Sequence, residues 1–280
     1  MKENDLRKAS VAGLFYPSVK KELMGQISGF LHEIPNKPLL KNLIGVIVPH
    51  AGYIYSGRVA AEVYCLPGLQ KFESCIILGP NHQGRGGVGA SVYAKGSFET
   101  PLGHMNIDEE LADTILKRDD RAVFNREAHE GEHSIEVQIP FLQMVNPSLK
   151  IVPIVMSDYR YETCQRLSLA IQDAIAAFPV KKILIMASTD FSHYHTHQFA
   201  VQMDALAIDI IEKSDPEGLF EKAESGDVEL CGLGPALVLM MVLKRQGSIE
   251  VQALQYKNSG DVTGDRTSVV GYAAIVFLKK

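Results

Sequence analysis

The stretch Lys182–Tyr194, KILIMASTDFSHY, decides the fold of this chain. Its first part, from Ile183 to Ala187, is an unbroken apolar run with the branched residues that are typical of a strand buried on both faces. The run then gives way to hydroxyl, carboxyl and imidazole side chains, namely Ser188, Thr189, Asp190, Ser192 and His193. In open α/β sheets, ligands bind at the carboxyl ends of parallel strands. The stretch therefore predicts a buried parallel strand with a functional loop at its end.

Four further apolar runs continue the pattern, at 43–48, 75–79, 150–156 and 272–278. Segments with apolar residues at three- and four-residue spacing separate most of these runs, which predicts parallel strands covered by helices on both faces. The helical segments are 19–32, 57–65, 108–118, 134–145, 161–178, 198–213 and 234–246. Two other strand segments, the first turning near Lys95 and Gly96, are predicted outside the parallel set, at 87–103 and 249–256. We expect an α/β protein of three layers, α/β/α, with a central mixed, largely parallel sheet.

Three residues mark breaks and ends in the helical pattern. Pro140 lies inside the segment 134–145 and predicts a kink or two shorter pieces. In the segment 234–246, Pro235 suits the first turn, and Gly247 suits the C-terminal stop. No internal repeat divides the chain, and no linker rich in proline, glycine or serine does so either. Residues 1–280 are therefore expected to form a single domain.

The composition is that of a globular protein, with 46% hydrophobic and 22% charged residues among 280. The formal net charge of -5 and the lack of any Lys/Arg run longer than two argue against nucleic acid as a partner. No segment reaches the roughly 18 apolar residues that a membrane-spanning helix needs. The N-terminal residues also lack the apolar stretch of a signal peptide. We expect a cytoplasmic protein that does not cross a membrane.

The four cysteines stand far apart and contain no CxxC pair. This spacing argues against a disulfide framework and against a zinc ribbon. We interpret Cys65, Cys75 and Cys164 as buried structural thiols. Cys231 differs, because it directly precedes the glycines and the proline that open the apolar helix 234–246. The positive end of a helix lowers the pKa of a nearby thiol, so Cys231 is a candidate metal ligand or nucleophile.

Histidine follows a predicted strand at three places in the chain. The first long apolar run leads into His50, the second leads into His82, and the opening stretch leads into Asp190 and His193. The ends of parallel strands converge on one crevice, so these side chains should lie together. Imidazole nitrogens and a thiolate suit zinc, copper or iron, and two histidines with one carboxylate suit iron(II). The residues alone leave open whether Cys231 or Asp190 completes the set with His50 and His82.

The sequence HEGEH, from His129 to His133, matches the HExxH motif of zinc metalloproteases. In that motif, two histidines one helical turn apart bind the same zinc ion. Here Gly131 occupies the centre, and Ser134 has the character of an N-cap that starts the helix only after the motif. His129 and His133 would then not share a helix face, which argues against a metalloprotease. His133 instead precedes an apolar helix and is expected to project into the crevice.

Six ordered motifs give the chain a resemblance to a known family. They are VAGLFYP, VPHAGYIYSG, LGPNH, EHSIEVQIPFLQ, STDFSHY and CGLGP. In this order they resemble the Memo-like family, whose microbial members are called AmmeMemoRadiSam system protein B. The resemblance runs from about residue 7 to the C-terminus. It implies a fold similar to the LigB-like class III extradiol dioxygenases, which have a mixed sheet between helical layers.

The resemblance also implies roles for individual residues. The metal ligands of the family correspond here to His50, His82 and Cys231. The positions that line the pocket, where the related dioxygenases keep a catalytic histidine, correspond to Asp190, His193 and His133. Those dioxygenases complete their iron site with a carboxylate, whereas the matching position here is a thiol, so ring-cleaving activity does not carry over. The implied cofactor is iron or copper, with zinc as an alternative.

These implications favour a metal-dependent oxidoreductase in which His193 acts as the general acid or base. The main alternative is a non-catalytic binding or scaffolding module that keeps the pocket of an ancestral enzyme, because a fold does not carry its function with it. A second alternative is a metal-free nucleophile, with Cys231 activated by His50 or His193. The family name implies an AMMECR-domain protein and a radical SAM protein as partners. The ligand of the pocket would be a small molecule or a peptide.

Overall fold

The computed structural model describes residues 5–35, 39–40, 42–87 and 89–280. In these ranges, the strands are Leu6–Arg7 (β1), Leu43–Val48 (β2), Ser74–Pro80 (β3), Ala90–Val92 (β4), Ser97–Thr100 (β5), Gly103–Asn106 (β6), Ala122–Phe124 (β7), Lys150–Met156 (β8), Ile183–Ser188 (β9), His193–His195 (β10), Ile249–Asn258 (β11) and Val269–Lys279 (β12). The α-helices are Lys20–Glu33 (α1), Tyr53–Tyr64 (α2), Glu109–Arg118 (α3), Ile139–Val145 (α4), Tyr161–Ala176 (α5), His197–Glu212 (α6), Pro216–Glu224 (α7), Leu233–Arg245 (α8) and Gly260–Thr263 (α9).

The larger sheet follows the order β10-β12-β2-β9-β3-β8-β4-β7, and β11 also pairs with β12. Its four central strands, β2, β9, β3 and β8, run parallel to one another. The interpretation of the run 272–278 as one more parallel strand is wrong, because β12 is antiparallel to both β2 and β11. Only the short α9 region joins β11 to β12, so the two neighbours must run in opposite directions. The sheet is mixed, with a parallel centre.

Helices cover both faces of this sheet, as the uninterrupted apolar strands require. On one face, α2 packs against β2 and β12 and also contacts α1 and α4. On the other face, α8 packs against β2, β3 and β9, and it is covered in turn by α5 and α7. The helix α8 is apolar on nearly all sides, which suits its enclosed position. The fold is thus the three-layer α/β/α arrangement that the sequence predicts.

A smaller sheet lies beside the large one and has the order β1-β5-β6. The segment 87–103 is predicted as strands that turn near Lys95 and Gly96 outside the parallel set, and its two halves do not pair with each other: β4 pairs with β8 in the large sheet, while β5 pairs with β1 and β6. The turn at Lys95 and Gly96 therefore carries the chain from one sheet to the other. Gly96 adopts a φ of +87°, a conformation that side chains other than glycine rarely take.

The predicted helices are present in the described ranges, with shifted ends. Helix α2 begins at Tyr53 rather than at residue 57, and the region around Pro140 forms a 3₁₀ turn, Glu136–Gln138, followed by α4. Ser134 does not cap this region, because its hydroxyl donates to the carbonyl of Pro80 at 3.0 Å. Two helices, α7 and α9, were not predicted from the apolar spacing because each is short.

Two further expectations concern the state of the cysteines and the absence of membrane-spanning helices. The four cysteines, which all lie in the described ranges, form no disulfide. Cys75 and Cys164 are buried, as predicted, whereas Cys65 is half-buried. Among the described residues, no helix combines the length and the apolar composition that crossing a bilayer requires.

Candidate metal centre

Three neighbouring strands of the parallel centre end at the candidate site. Strand β9 lies between β2 and β3, and all three run in the same direction. His50, His82 and Asp190 each follow the last residue of one of these strands by two positions. The structure therefore brings the three strand ends together at one edge of the sheet, as the sequence predicted. Parallel pairing is the cause, because it aligns the carboxyl ends.

Three potential ligand atoms converge at this edge. The ligand atoms of His50, His82 and Cys231 all lie within 4.8 Å of one another. The Sγ of Cys231 is 3.2 Å from Nε2 of His50. Protein zinc sites have Zn–N distances of about 2.0 Å and Zn–S distances of about 2.3 Å, so donors at this spacing can reach one cation.

The turn that carries Cys231 is packed against the end of β9. The backbone N–H of Cys231 donates to the carbonyl of Asp190 at 3.2 Å, and the N–H of Asp190 donates to Sγ of Cys231 at 3.2 Å. Gly232 permits this approach, because a Cβ at its position would meet the carbonyl oxygen of Ser188 at 2.6 Å. These backbone contacts present the sulfur to His50.

The hydrogen bonds around Ser188 determine the tautomer of His50. The Ser188 hydroxyl has one hydrogen, which it donates in a hydrogen bond to the carbonyl of Ser134 at 2.6 Å. It also accepts a hydrogen bond from the Gln138 amide at 2.9 Å. It can therefore only accept from Nδ1 of His50, which lies 3.0 Å away. Nδ1 of His50 carries the proton, and Nε2 presents its lone pair toward Cys231.

A buried carboxylate determines the tautomer of His82 in the same sense. Oε1 of Glu132 lies 3.0 Å from Nδ1 of His82. Burial raises the pKa of Glu132, but the hydrogen bonds from His82 and Ser134 outweigh burial and hold this pKa at about 2. The ionised carboxylate can only accept, so Nδ1 of His82 carries a proton. In the neutral ring, Nε2 is then the nitrogen with the free lone pair.

Two imidazoles of the site, those of His50 and His133, are neutral at physiological pH. Burial lowers the pKa of His50 well below its ordinary value, and the neighbouring His133 and His82 lower it further. Burial also lowers the pKa of His133 to about 4, although Glu132 opposes this change. Unprotonated imidazole is the form that binds a metal ion. His50 is therefore ready to bind a cation without first losing a proton.

A second set of potential ligand atoms, from His82, Glu132 and His133, overlaps the first. The rings of His82 and His133 are stacked, with centroids 4.5 Å apart and an interplanar angle of 26°. An imidazole binds a metal through a lone pair in the plane of its ring, and two stacked planes do not meet at one ion. The rings of His50 and His82 instead meet at 79°. The set that contains Cys231 therefore has the better geometry for a single cation.

Asp190 holds the backbone of the His50 loop. Its Oδ1 accepts the N–H of His50 at 2.7 Å, and the N–H of Ala51 also donates to the carboxylate. Burial raises the pKa of Asp190 to about 7, although these hydrogen bonds and His82 oppose the change. Among the described residues, the potential ligand atom that lies close to those of both His50 and His82 belongs to Cys231, and the group does not include Asp190.

The expectation that a helix N-terminus lowers the pKa of Cys231 is wrong. Burial raises the pKa of this thiol, and the charge of Asp190 raises it further. Hydrogen bonds to the sulfur from the Asp190 and Gly232 backbones and from Thr189 lower the pKa by less. The thiol is therefore a weak nucleophile on its own. A bound cation would stabilise the thiolate.

Both histidines predicted to line the pocket lie next to the cluster. The ring of His133 is in contact with Phe15 on one side, at 4.5 Å between centroids, and with His82 on the other. His193 is close enough to His50 for its charge to lower the pKa of His50. Burial lowers the pKa of His193 itself, although Glu229 opposes this change.

The HEGEH sequence does not form a metalloprotease site. His129 ends a 3₁₀ turn, Glu127–His129, and Gly131 then adopts a φ of +76°, so no helix joins His129 to His133. Nε2 of His129 lies 2.9 Å from the carbonyl of Ser91. Neither set of potential ligand atoms within the described ranges includes His129. The two histidines of the motif thus have separate environments, as predicted.

Sequence reasoning missed the residues that hold His50 and His82, which are Glu132, Ser134, Gln138 and Ser188. Three of the four lie in the EHSIEVQIPFLQ motif and Ser188 begins the STDFSHY motif, so the resemblance marked their segments without assigning them a role. Their contacts join them to the loops after β2 and β3, far away in the sequence. No local spacing could have revealed these contacts.

The fold and the site together define a class of protein: a mixed α/β domain with a His, His, Cys donor set at the carboxyl ends of its central strands. The sequence profile of the Memo-like protein family matches residues 7–276 of this chain. The chain therefore belongs to the Memo-like family.

Individual relatives agree with this assignment. The chain is 42% identical over 279 residues to a MEMO1 family protein of Pyrobaculum arsenaticum, covering 97% of this chain and 99% of the relative. It is 41% identical over 282 residues to a MEMO1 family protein of Methanobrevibacter smithii, with coverage of 97% and 99%. Among solved structures, the uncharacterized protein JW3007 of Escherichia coli K12 aligns over 84% of this chain and 99% of its own, with a TM-score of 0.47 and 12% identity.

Proposed function

We propose that this protein is a metal-binding oxidoreductase in which His50, His82 and Cys231 hold iron or copper. The observation that supports the proposal most is the convergence of their three ligand atoms within 4.8 Å. The donor set fits such an ion, because both rings have a hydrogen-bond acceptor at Nδ1 and so can present the Nε2 lone pair, and the Cys231 thiol gains stability as a thiolate beside a cation. Iron or copper, when bound, would supply one-electron redox chemistry, and zinc would supply Lewis-acid chemistry instead.

The residues around this set would control protons and access. His193 is half-buried with a lowered pKa, so it is neutral at physiological pH and can accept a proton. Asp190, with a pKa raised to about 7, can hold or release a proton near neutrality. His133 would form one wall of the pocket, between Phe15 and His82. In the proposal, His193 is the general acid or base, and Asp190 and His133 are further catalytic residues.

The direct test is metal analysis of protein purified without oxygen. We expect near-stoichiometric iron or copper in the wild type and its loss in His50→Ala, His82→Ala and Cys231→Ser. Matched controls are His32→Ala, on the exposed side of α1, and Cys65→Ser, and both should keep the metal. A wild type that takes up neither iron(II) nor copper(I) on reconstitution would contradict the proposal. It would favour the binding module, in which the pocket holds a small molecule or a peptide.

The oxidoreductase part of the proposal has a separate test. Iron-loaded wild-type protein, given catechol as a probe or ascorbate as a reductant, should consume oxygen faster than His50→Ala at the same total iron. Stoichiometric metal binding with oxygen consumption no faster than that of the variant would retain the metal site but reject the redox function. The AMMECR-domain and radical SAM partners remain part of the same proposal, to be tested by copurification from a host that expresses all three proteins.

A further inference from the structure

Glu132 faces His82 from outside the metal-binding set. The residue is only 2% exposed. Its Oε1 lies 3.0 Å from Nδ1 of the His82 ring, and its Oε2 accepts the backbone N–H of the same residue at 2.6 Å. One carboxylate therefore holds both the main chain and the ring of His82. Two contacts to one residue restrict the direction in which the ring can point.

The carboxylate is itself held in place. Oε1 of Glu132 also accepts the N–H of Ser134 at 2.8 Å. The backbone carbonyl of Glu132 accepts a hydrogen bond from the Arg7 guanidinium at 2.7 Å. This segment lies directly on the end of β3, where a Cβ on Gly79 would meet Oγ of Ser134 at 2.6 Å. The support of Glu132 therefore comes from three separate parts of the chain.

We infer that Glu132 is the positioning residue of the metal centre, which holds His82 in the tautomer protonated on Nδ1 and so directs an unprotonated Nε2 toward the ion. The inference rests on the proposed metal-binding function and adds the residue that prepares one of its ligands. His50 has a different partner, because its Nδ1 faces the neutral hydroxyl of Ser188. A carboxylate behind a ligand histidine raises the basicity of the ring, and loss of such a partner weakens metal binding by about 10- to 100-fold.

The substitution Glu132→Gln separates this role from a purely structural one. The carboxylate accepts three hydrogen bonds, from His82 and Ser134, and all three donors are N–H groups when His82 is protonated on Nδ1. Nδ1 of His133 lies further away, 3.4 Å from Oε1. A glutamine amide offers one oxygen and one NH₂ group, so its NH₂ group must face a donor. If the NH₂ group takes the position of Oε1, it meets Nδ1 of His82 and the N–H of Ser134, and the His82 ring can relieve the first of these conflicts by moving its proton to Nε2. A structural role alone would change stability without changing the tautomer.

The first measurement is the tautomer of His82, read from its ring ¹⁵N shifts in metal-free protein labelled with ¹⁵N-histidine. His82→Ala assigns the signal. We expect protonation on Nδ1 in the wild type and a substantial population protonated on Nε2 in Glu132→Gln. Glu130→Gln is the matched control, because it removes the same charge from an exposed side chain nearby and should leave the wild-type tautomer.

The second measurement is zinc(II) affinity by chelator competition. Glu132→Gln should bind zinc(II) about 10- to 100-fold more weakly than the wild type, and Glu130→Gln should bind it equally well. A wild-type His82 protonated on Nε2 would overturn the inference, and this result needs no variant to fold. A folded Glu132→Gln with unchanged tautomer and affinity would also overturn it.

The two measurements distinguish failure of this inference from failure of the proposed function. If wild-type protein binds no metal but Glu132→Gln shifts the tautomer, the proposed function fails while Glu132 still positions His82. If the wild type binds metal and Glu132→Gln leaves the His82 tautomer unchanged, the proposed function stands and the inference fails. If Glu132→Gln does not fold, Nδ1 protonation in the wild type supports the inference, because the Glu132 carboxylate is the group that faces that nitrogen, at 3.0 Å.

Discussion

The Sγ of Cys231 lies 3.2 Å from Nε2 of His50, although 181 positions separate the two residues in the sequence. Asp190 connects them, since its N–H donates to the sulfur and its carboxylate accepts the N–H of His50. Backbone groups take part in both contacts. The distance between sulfur and nitrogen is therefore determined by the packing of two loops on the sheet, and it does not depend on flexible side chains alone.

The first prediction concerns the reactivity of Cys231. In metal-free protein near neutral pH, iodoacetamide should modify Cys231 more slowly than Cys65, although both are half-buried, because desolvation raises the pKa of Cys231 and the thiolate is the reactive form. Mass spectrometry of digested samples over a time course measures both rates. Faster modification of Cys231 would support the metal-free nucleophile instead of the metal centre.

The second prediction separates His193 from the metal ligands. His193→Ala should keep the metal that His82→Ala loses, because the ligand atoms grouped at the site come from His50, His82 and Cys231. Elemental analysis of the two variants, prepared in parallel, measures the difference. Where an oxidative activity is found, His193→Ala should reduce its rate by roughly 100-fold or more. Loss of metal from His193→Ala would show that His193 is a ligand.

The third prediction is a pH dependence of stability that arises from His129. Burial lowers the pKa of His129 to about 3, although its hydrogen bond to the Ser91 carbonyl opposes the change, whereas the ordinary pKa is 6.5. Between these values the unfolded chain binds a proton that the native protein does not bind. The contribution of His129 to stability is therefore present above pH 6.5 and is lost as the pH falls toward 3, at up to about 1.4 kcal/mol per pH unit.

The variant His129→Gln tests this pH dependence. Urea unfolding at several values between pH 7 and pH 5 gives the slope of stability against pH. In the variant this slope should decrease by the equivalent of up to one proton, while the contributions of His50 and His133 remain. An unchanged slope would mean that the native protein protonates His129 as readily as the unfolded chain does.

The fourth prediction concerns the buried ion pair between Arg7 and Glu136. Glu136 is fully buried and also accepts a hydrogen bond from the Tyr16 hydroxyl at 2.6 Å. Glu136→Gln leaves the Arg7 guanidinium buried without its charge partner, which should decrease the free energy of unfolding by about 3–5 kcal/mol. Chemical denaturation measures the change.

A solvent-exposed ion pair is the control for Glu136→Gln. Nη1 of Arg118 lies 3.5 Å from Oδ2 of Asp173, and both side chains are about half exposed. Asp173→Asn should change the free energy of unfolding by no more than about 0.5 kcal/mol, because solvent screens this pair. Equal losses in Glu136→Gln and Asp173→Asn would contradict the distinction between the buried and the exposed pair.

The fifth prediction compares two Gly→Ala substitutions with opposite expected signs. At Gly79 a methyl group would meet Oγ of Ser134 at 2.6 Å and Cγ1 of Ile135 at 2.9 Å, so Gly79→Ala should destabilise the protein by about 1–3 kcal/mol. At Gly29, inside α1, the added methyl group meets nothing within 4 Å, so the substitution should stabilise by up to about 1 kcal/mol. Thermal unfolding of both variants measures the difference, and a stabilised Gly79→Ala would show that the Ser134 segment is not packed on β3 as described.

The parallel centre of the fold could be predicted from sequence because a strand covered on both faces needs an unbroken apolar run. The end of that run then marks where the functional loop starts, as after Ser188. The direction of β12 could not be predicted in this way, since parallel and antiparallel strands have the same apolar side chains. The separation of β4 from β5 was also missed, because the turn at Gly96 has the same local sequence character in a hairpin and in a crossing between sheets.

For the site, the sequence by itself determined which residues could supply metal-ligating or nucleophilic groups, because the histidines follow predicted strands and Cys231 precedes a predicted helix. Only the tertiary structure showed that the potential ligand atom of Cys231, rather than that of Asp190, groups with those of His50 and His82. It also decided the histidine tautomers, through Glu132 and Ser188, and the direction in which the pKa of Cys231 shifts. The physical reason is the same in each case: hydrogen bonding and burial are set by segments that meet only when the sheet and its loops have packed.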